Sequence, residues 1–170
     1  SRFQGEIPPI VQNPTFNIRK KAIKIFTLEE YVDNGTMTEK QYHSICKAVQ
    51  EKKNILVIGG TSSGKTTLCN AIINEMAKYQ ERMIIIEDTQ ELQCACEDRV
   101  FLRTSDTVTM KDLLEDTLRM RPDRISIGEI RGGAALDLLK AWNSGHPGGI
   151  CTIHADSPRA GLDQLEQYIS

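Results

Sequence analysis

The chain has 170 residues, 39% of them hydrophobic and 26% charged, and its 21 Lys and Arg against 23 Asp and Glu leave a formal charge of −2. This length allows a core of its own, and the charge balance excludes both a disordered tail and a strongly basic nucleic-acid module. No apolar run reaches the roughly 18 residues of a membrane span, and no apolar segment with basic flanks opens the chain. We therefore expect a soluble, intracellular protein.

The first 26 residues are rich in proline and basic residues. Pro8, Pro9 and Pro14 argue against a helix, and the alternation around Phe16 and Ile18 predicts short strands. A stable sheet normally needs about three or more strands. We therefore expect residues 1–26 to be the remnant of a small β-containing N-terminal domain, and the chain to be a piece of a longer protein.

Two helix starts follow in residues 27–50. Thr27 with Glu30, and Thr38 with Gln41, have the spacing of capping boxes, and Asn34-Gly35 would end the first helix. In the second helix, apolar side chains recur at helical spacing. They are Tyr42, Ile45, Cys46 and Val49. We expect this segment to be a linker and helix between two domains.

From residue 51 onward, short apolar runs alternate with amphipathic stretches. The predicted strands are residues 55–58, 83–86, 100–102, 124–127 and 149–153. The first two predicted helices are residues 65–78 and the stretch from a cap at Thr109 through Met120. A third helix is marked by its buried stripe of Ala135, Leu138, Leu139 and Trp142. The last helix starts at Ser157-Pro158 and carries Leu162, Leu165 and Ile169 on one side. The alternation predicts an α/β domain, residues 51–170, with a mainly parallel sheet.

The five cysteines show no pattern of metal ligands. Cys94 and Cys96 form a single Cys-x-Cys without a second pair, and none of the three histidines has ligand spacing to them. We expect reduced thiols and no zinc.

A phosphate-binding loop follows the first strand of this domain. Residues 59–66 read GGTSSGKT, the P-loop spacing, and they lie between a predicted strand and a predicted helix. Their backbone N–H groups would cradle phosphates, with Lys65 at the β- and γ-phosphates and Thr66 on Mg²⁺. The predicted nucleotide-binding residues are Gly60, Thr61, Ser62, Ser63, Gly64, Lys65, Thr66 and Thr67. The alternative is a glycine-rich turn.

Two acidic strand ends are candidates for hydrolysis, which also needs a group that orients water. The apolar strand 83–86 is followed by Glu87 and Asp88, and strand 124–127 leads to Gly128 and Glu129. Both would lie at the carboxyl edge of the sheet, where ligands bind in open α/β folds. Either end could instead be solvated, and for Asp88 and Glu91 the two interpretations have equal weight.

A histidine and several arginines complete the candidates. His154 follows strand 149–153, where it could bond a γ-phosphate or be structural. Arginines suit phosphate because they are planar and permanently charged, although an arginine at a helix end can serve the helix dipole alone. The arginines near the second acidic strand are Arg119, Arg121, Arg124 and Arg131.

The order of these motifs resembles the traffic ATPases of bacterial type II and type IV secretion. After the P-loop come EDTQEL at 87–92, LRMRPD at 118–123, GEIRGG at 128–133, and GHPGG at 145–149 with TIHA at 152–155. The opening RFQG at 2–5 and FTLEEY at 26–31 are most similar to the conjugal-transfer branch, which serves plasmid mobilisation. The likeness covers nearly the whole chain.

The resemblance implies a RecA-like ATPase domain joined to an N-terminal domain. It also implies a ring of six subunits at the cytoplasmic face of the inner membrane, working with other components of the machine. By position, Glu87 matches the Asp-box glutamate, Glu129 the Walker-B glutamate and His154 the His-box histidine. Arg2 and Arg19 match N-terminal arginines that close over the phosphates.

In this interpretation Lys65, Glu87, Glu129 and His154 are catalytic. One glutamate of the pair polarises water, and the other holds Mg²⁺ together with Thr66. Glu129 is our candidate for holding Mg²⁺, and the residues do not decide which glutamate activates water.

We expect an ATP-hydrolysing motor subunit of a type IV secretion or conjugation system. The alternatives are a nucleotide-binding assembly switch with little turnover, a pilus assembly or retraction ATPase, and a nucleic-acid translocase. The near-neutral charge and the 5% aromatic content argue against direct DNA binding.

Overall fold

The computed structural model describes residues 2–20 and 24–170, and of Arg2 only the backbone. The strands are β1 (Arg2–Glu6), β2 (Thr15–Arg19), β3 (Ile55–Gly59), β4 (Met83–Glu87), β5 (Arg99–Arg103), β6 (Arg124–Ile127) and β7 (Ile150–His154). The helices are α1 (Leu28–Asp33), α2 (Glu39–Gln50), α3 (Lys65–Met76), α4 (Met110–Thr117), α5 (Ala134–Asn143) and α6 (Pro158–Ile169). A turn of 3₁₀ helix, Ala77–Tyr79, follows α3 and covers the predicted end of that helix.

The predicted parallel sheet is present in the part of the chain that the structure describes. Its order is β3-β7-β6-β4-β5, and every pair of neighbours runs parallel. All five strands lie where the apolar runs predicted them, within one residue at either end. The α/β fold class is therefore confirmed, and the carboxyl ends of the strands share one edge.

The core lies on both faces of this sheet. In β4, Met83 and Ile85 face an apolar cluster with α1, α2 and α3, whereas Ile84 and Ile86 face a second cluster with α4 and α5. Successive strand residues point to opposite faces, so a strand covered on both sides must be apolar throughout. This is why β4 is buried along its full length.

The helix starts follow the capping residues. Capping boxes form at Thr27 and Thr38 as predicted, and a third forms at Thr109 with Asp112. Helix α4, however, ends at Thr117 and not at Met120. The reason lies downstream, since Arg121 precedes Pro122 and has a φ of 53°, a conformation that no helix contains.

The buried side of α6 differs from the prediction. Leu162 and Ile169 are exposed, and the side facing the protein carries Gly161, Leu165 and Tyr168. A Cβ on Gly161 would lie 2.6 Å from Ile58 Cδ1, so this glycine lets the helix approach the sheet closely. The predicted buried side was wrong in two of its three residues, because a pattern of apolar side chains gives no weight to a glycine.

The N-terminal strands β1 and β2 form an antiparallel hairpin with Arg2 opposite Arg19. Phe3 stacks on Phe16, with ring centroids 6.0 Å apart. The short strands predicted here are thus present, while residue 1 and residues 21–23 of the expected N-terminal domain lie outside the described residues. None of the described helices combines the length and apolar character needed to cross a bilayer.

Candidate functional site

The loops at the carboxyl edge of the sheet surround one cavity of about 590 Å³. It is lined by residues 61–67, 87–89, 91, 92, 128 and 129, and by Arg19, Arg131, Thr152 and His154. The structure therefore brings together most of the candidate residues that the sequence singled out, apart from three arginines described below. Gly60 does not line this cavity, and the side chain of Arg2 lies outside the described part of the chain.

The P-loop has the backbone of an anion cradle. Ser62 and Gly64 are in the left-handed region, with φ of 59° and 91°, and Gly64 immediately precedes α3. Such residues turn neighbouring N–H groups toward one side of a loop, next to the positive end of a helix dipole. The Lys65 ammonium folds over this loop and donates to the carbonyls of Gly59 (2.8 Å) and Gly60 (2.6 Å). The loop thus fits a phosphate chain.

Glu91 connects the P-loop to the N-terminal hairpin. Thr66 Oγ1 donates to Glu91 Oε2 at 3.4 Å, and Arg19 Nη1 lies 3.5 Å from Glu91 Oε1. The sequence left this glutamate open between a functional and a solvated interpretation, and the structure places it in the cavity. The sequence feature that could have indicated this position is that Glu91 lies four residues after Glu87, the glutamate at the end of a strand.

Glu87 is anchored below the cavity. Only 4% of the residue is exposed, and its Oε1 accepts hydrogen bonds from the backbone N–H groups of Glu91 (3.0 Å) and Leu92 (2.9 Å). A Cβ on Gly128 would lie 2.9 Å from Glu87 Cγ. The carboxylate thus shapes the loop that presents Glu91, and Gly128 leaves room for it.

Gly128→Ala is expected to destabilise the protein by about 1–3 kcal/mol, because the new methyl group overpacks the buried Glu87 side chain. Urea unfolding monitored by circular dichroism measures the change. Gly133→Ala is the matched control, since no atom lies within 4 Å of a Cβ there, and should stay within about 0.5 kcal/mol. Equal stability of the Gly128 variant and the wild type would contradict the role assigned to this glycine.

Glu129 forms an ion pair with Arg131 at the mouth of the cavity. The hydrogen bond to Glu129, and then its negative charge, raise the pKa of Arg131. The Arg131 side chain is 68% exposed and that of Glu129 31%. Glu129 therefore lines the cavity, but its carboxylate is held by a neighbouring cation.

The last strand brings His154 to the same edge. In the parallel register, His154 of β7 lies level with Gly59, the first glycine of the P-loop. Two residues earlier, Thr152 Oγ1 donates to the carbonyl of Gly128 at 2.6 Å. Strand β7 thus ties the P-loop strand to the segment that carries Glu129.

Three of the arginines considered from the sequence lie away from the cavity. Arg119 and Arg121 are exposed outside it. Arg124 is 1% exposed at the amino end of β6, where it donates to the carbonyls of Val49 and Gly148, both at 2.9 Å. It is a structural residue and not a phosphate ligand.

Arg124 also pairs with Glu81, which Lys52 contacts at 2.5 Å. Burial raises the pKa of Glu81, but the hydrogen bonds from Lys52 and Arg124 outweigh burial and hold it below its ordinary value. The buried guanidinium therefore has a charged partner.

The donor set at the P-loop suits Mg²⁺. Among the described residues, no three His, Cys, Asp or Glu side chains cluster as a metal site. Mg²⁺ needs no such cluster beside a nucleotide, since phosphate oxygens and water supply most of its ligands. Thr66 donates its proton to Glu91, which leaves the hydroxyl lone pairs available to a cation. Thr66 and Glu91 thus bring oxygen groups together beside the P-loop, and Glu129 lines the same cavity.

Residues 5–169 match the protein family described as type II/IV secretion system protein. The probable conjugal transfer protein TrbB of Sinorhizobium fredii is 52% identical over 168 residues, and the conjugal transfer protein TrbB of Rhizobium radiobacter is 54% identical over 168 residues. Each match covers 98% of this chain and 52% of the relative. The chain therefore spans about half the length of these curated relatives.

A solved structure with the same architecture is the VirB11 ATPase of the Brucella suis type IV secretion system in complex with sulphate. It superposes with a TM-score of 0.71 at 33% identity, covering 98% of this chain and 56% of that one.

Proposed function

The chain belongs to the type II/IV secretion system protein family, and on this basis we propose that it is an ATP-hydrolysing motor subunit of a conjugative DNA-transfer system. One observation carries the proposal: side chains from four separate strand ends and from the N-terminal hairpin line the same P-loop cavity. A P-loop alone would account for binding. The carboxylates, the arginines and the histidine around it supply what turnover requires.

In the proposed site, the backbone of residues 61–67 and the Lys65 ammonium bind the phosphates. Thr66 would hold Mg²⁺, and Glu91 would fix the orientation of the Thr66 hydroxyl. Once bound, the metal ion neutralises phosphate charge and orients the triphosphate. Arg19, and by resemblance Arg2, would close over the phosphates from the hairpin.

We assign the orientation of the attacking water to Glu129. Its carboxylate reaches the cavity, whereas Glu87 Oε1 already accepts two backbone hydrogen bonds and its residue is buried. Glu87 then supports catalysis by holding the 87–92 loop. His154 at the end of β7 would donate a hydrogen bond to the γ-phosphate and lose that bond after hydrolysis.

The assembly belongs to the same proposal. We propose a hexamer at the cytoplasmic face of the inner membrane, in contact with other components of the conjugation machine. Residues 1–26 would form part of an N-terminal domain, residues 27–50 a linker and helix, and residues 51–170 the ATPase domain. The names of the curated relatives, conjugal transfer proteins, support this setting.

Lys65→Ala tests the proposed activity directly. Phosphate release from Mg-ATP should fall by about 10²–10³-fold, because a cation that stabilises the transition state is lost. Lys111→Ala, in the first turn of α4 and exposed, is the control and should retain wild-type turnover. Unchanged phosphate release in the Lys65 variant would refute the proposed enzyme.

A second candidate is a nucleotide-dependent assembly switch with little turnover. The ion pair between Glu129 and Arg131 favours it, because a carboxylate held by a guanidinium is not free to polarise water. If this candidate is right, Glu129→Gln should leave nucleotide-dependent assembly intact with ATP and with a non-hydrolysable analogue alike.

A further inference from the structure

We propose that Arg131 senses the γ-phosphate: when a triphosphate binds, its guanidinium leaves Glu129 for the γ-phosphate and so frees the Glu129 carboxylate. With a diphosphate bound, the pair with Glu129 stays closed. This inference rests on the proposed function, because it concerns the same nucleotide cavity.

The position of Arg131 supports this exchange of partners. The residue lies in the loop after β6 and lines the cavity that contains the P-loop and His154. Its side chain is 68% exposed, and exposed ion pairs contribute little stability, so the pair with Glu129 opens at small cost. Gly132 follows directly with a φ of 53°, and a glycine pair gives the backbone freedom to follow the side chain.

The charges around the cavity identify Arg131 as the cation for this role. Four carboxylates line the cavity, those of Glu87, Asp88, Glu91 and Glu129. Against them stand three Lys or Arg side chains among the described lining residues, Lys65, Arg19 and Arg131.

Each of these three cations has a different partner in the cavity. Lys65 is bound to the carbonyls of the P-loop itself, and Arg19 faces Glu91. Arg131 is therefore the cation that holds the Walker-B carboxylate, and a guanidinium binds phosphate oxygens through two parallel N–H groups. A γ-phosphate would compete directly with Glu129 for these donors.

The exchange would couple the state of the nucleotide to the availability of the base. Glu129 would be free to orient water only while a γ-phosphate holds Arg131. After the phosphate leaves, Arg131 would return to Glu129 and close the site to further water activation.

Nucleotide binding tests the inference without relying on turnover. Isothermal titration with Mg²⁺ would give the affinities of the wild type and each variant for ADP and for adenylyl imidodiphosphate, which carries a non-hydrolysable γ-phosphate. In Arg131→Gln, the preference for the analogue over ADP should fall roughly 10-fold to 100-fold, the range of a charge-assisted hydrogen bond, while ADP affinity stays within about 2-fold. Arg131→Lys should keep part of the preference because it keeps the charge.

Arg119→Gln is the matched control. This exposed arginine pairs with Asp116 outside the cavity, so its variant should bind both nucleotides as the wild type does. The inference would be overturned if Arg131→Gln kept the preference for the analogue, or if it lost affinity for ADP and the analogue equally. In either case, nucleotide binding by the wild type would leave the proposed function standing. Failure of the wild type to bind either nucleotide would instead refute the proposed function, and the inference with it.

Discussion

Replacing Glu129 by glutamine is expected to lower phosphate release from Mg-ATP by about 10²–10⁴-fold, the usual contribution of a general base. Glutamine keeps the size of the side chain but cannot accept a proton from water. The amide also cannot form an ion pair with Arg131, so the guanidinium becomes available to phosphate. We therefore expect the variant to bind ATP at least as tightly as the wild type and to hold it without turnover.

Steady-state phosphate release and nucleotide titration, measured on the same preparation, separate these two effects. Glu97→Gln provides the control, since Glu97 is an exposed glutamate in the connection between β4 and β5 and does not line the cavity. It should leave both quantities unchanged. A Glu129 variant that turns over ATP at the wild-type rate would exclude Glu129 as the water-orienting residue.

Arg124→Met should destabilise the protein by about 3–5 kcal/mol, because it breaks a buried ion pair. Methionine fills similar volume but leaves the carboxylate of Glu81 with Lys52 alone, removes the guanidinium donor from the carbonyl of Gly148, and leaves the carbonyl of Val49 with only the backbone N–H of Lys52. These losses add to the free energy of the folded state. Urea unfolding followed by far-ultraviolet circular dichroism gives the value.

The same substitution at Arg119 separates burial from the change of residue type. The Arg119 side chain is 77% exposed, so Arg119→Met should alter stability by no more than about 0.5 kcal/mol. If the Arg124 variant were equally mild, the three contacts of Arg124 would not be what joins α2, β6 and the 145–149 loop.

Local signals were sufficient to predict much of the fold and the site. The apolar run before GGTSSGKT and the helix after it located the P-loop, and the acidic ends of β4 and β6 pointed to the correct sheet edge. Parallel strands bring their carboxyl ends together whatever their order, so Glu87, Glu129 and His154 could be grouped in advance. The family, its conjugal-transfer branch and the RecA-like fold were predicted from these motifs and are confirmed.

Features that depend on tertiary contacts cannot be predicted from the local sequence. In the cavity, the backbone N–H of Glu91 is bound by Glu87 and its carboxylate faces Arg19 of the hairpin, and neither contact is visible in the local sequence. Arg124 lies three residues after the exposed Arg121 but is buried, because its strand begins against α2. In α6, Gly161 packs against Ile58, and a glycine on the buried side of a helix does not show in the apolar periodicity.

The order of the sheet also constrains how the protein is made. Strand β7 is the last of the five to leave the ribosome, yet it inserts between β3 and β6. A nascent chain that stops before Ile150 therefore has its P-loop strand and its Glu129 strand without the neighbour that joins them. Nucleotide affinity should consequently arise in a single late step of synthesis, and no earlier fragment should carry part of it.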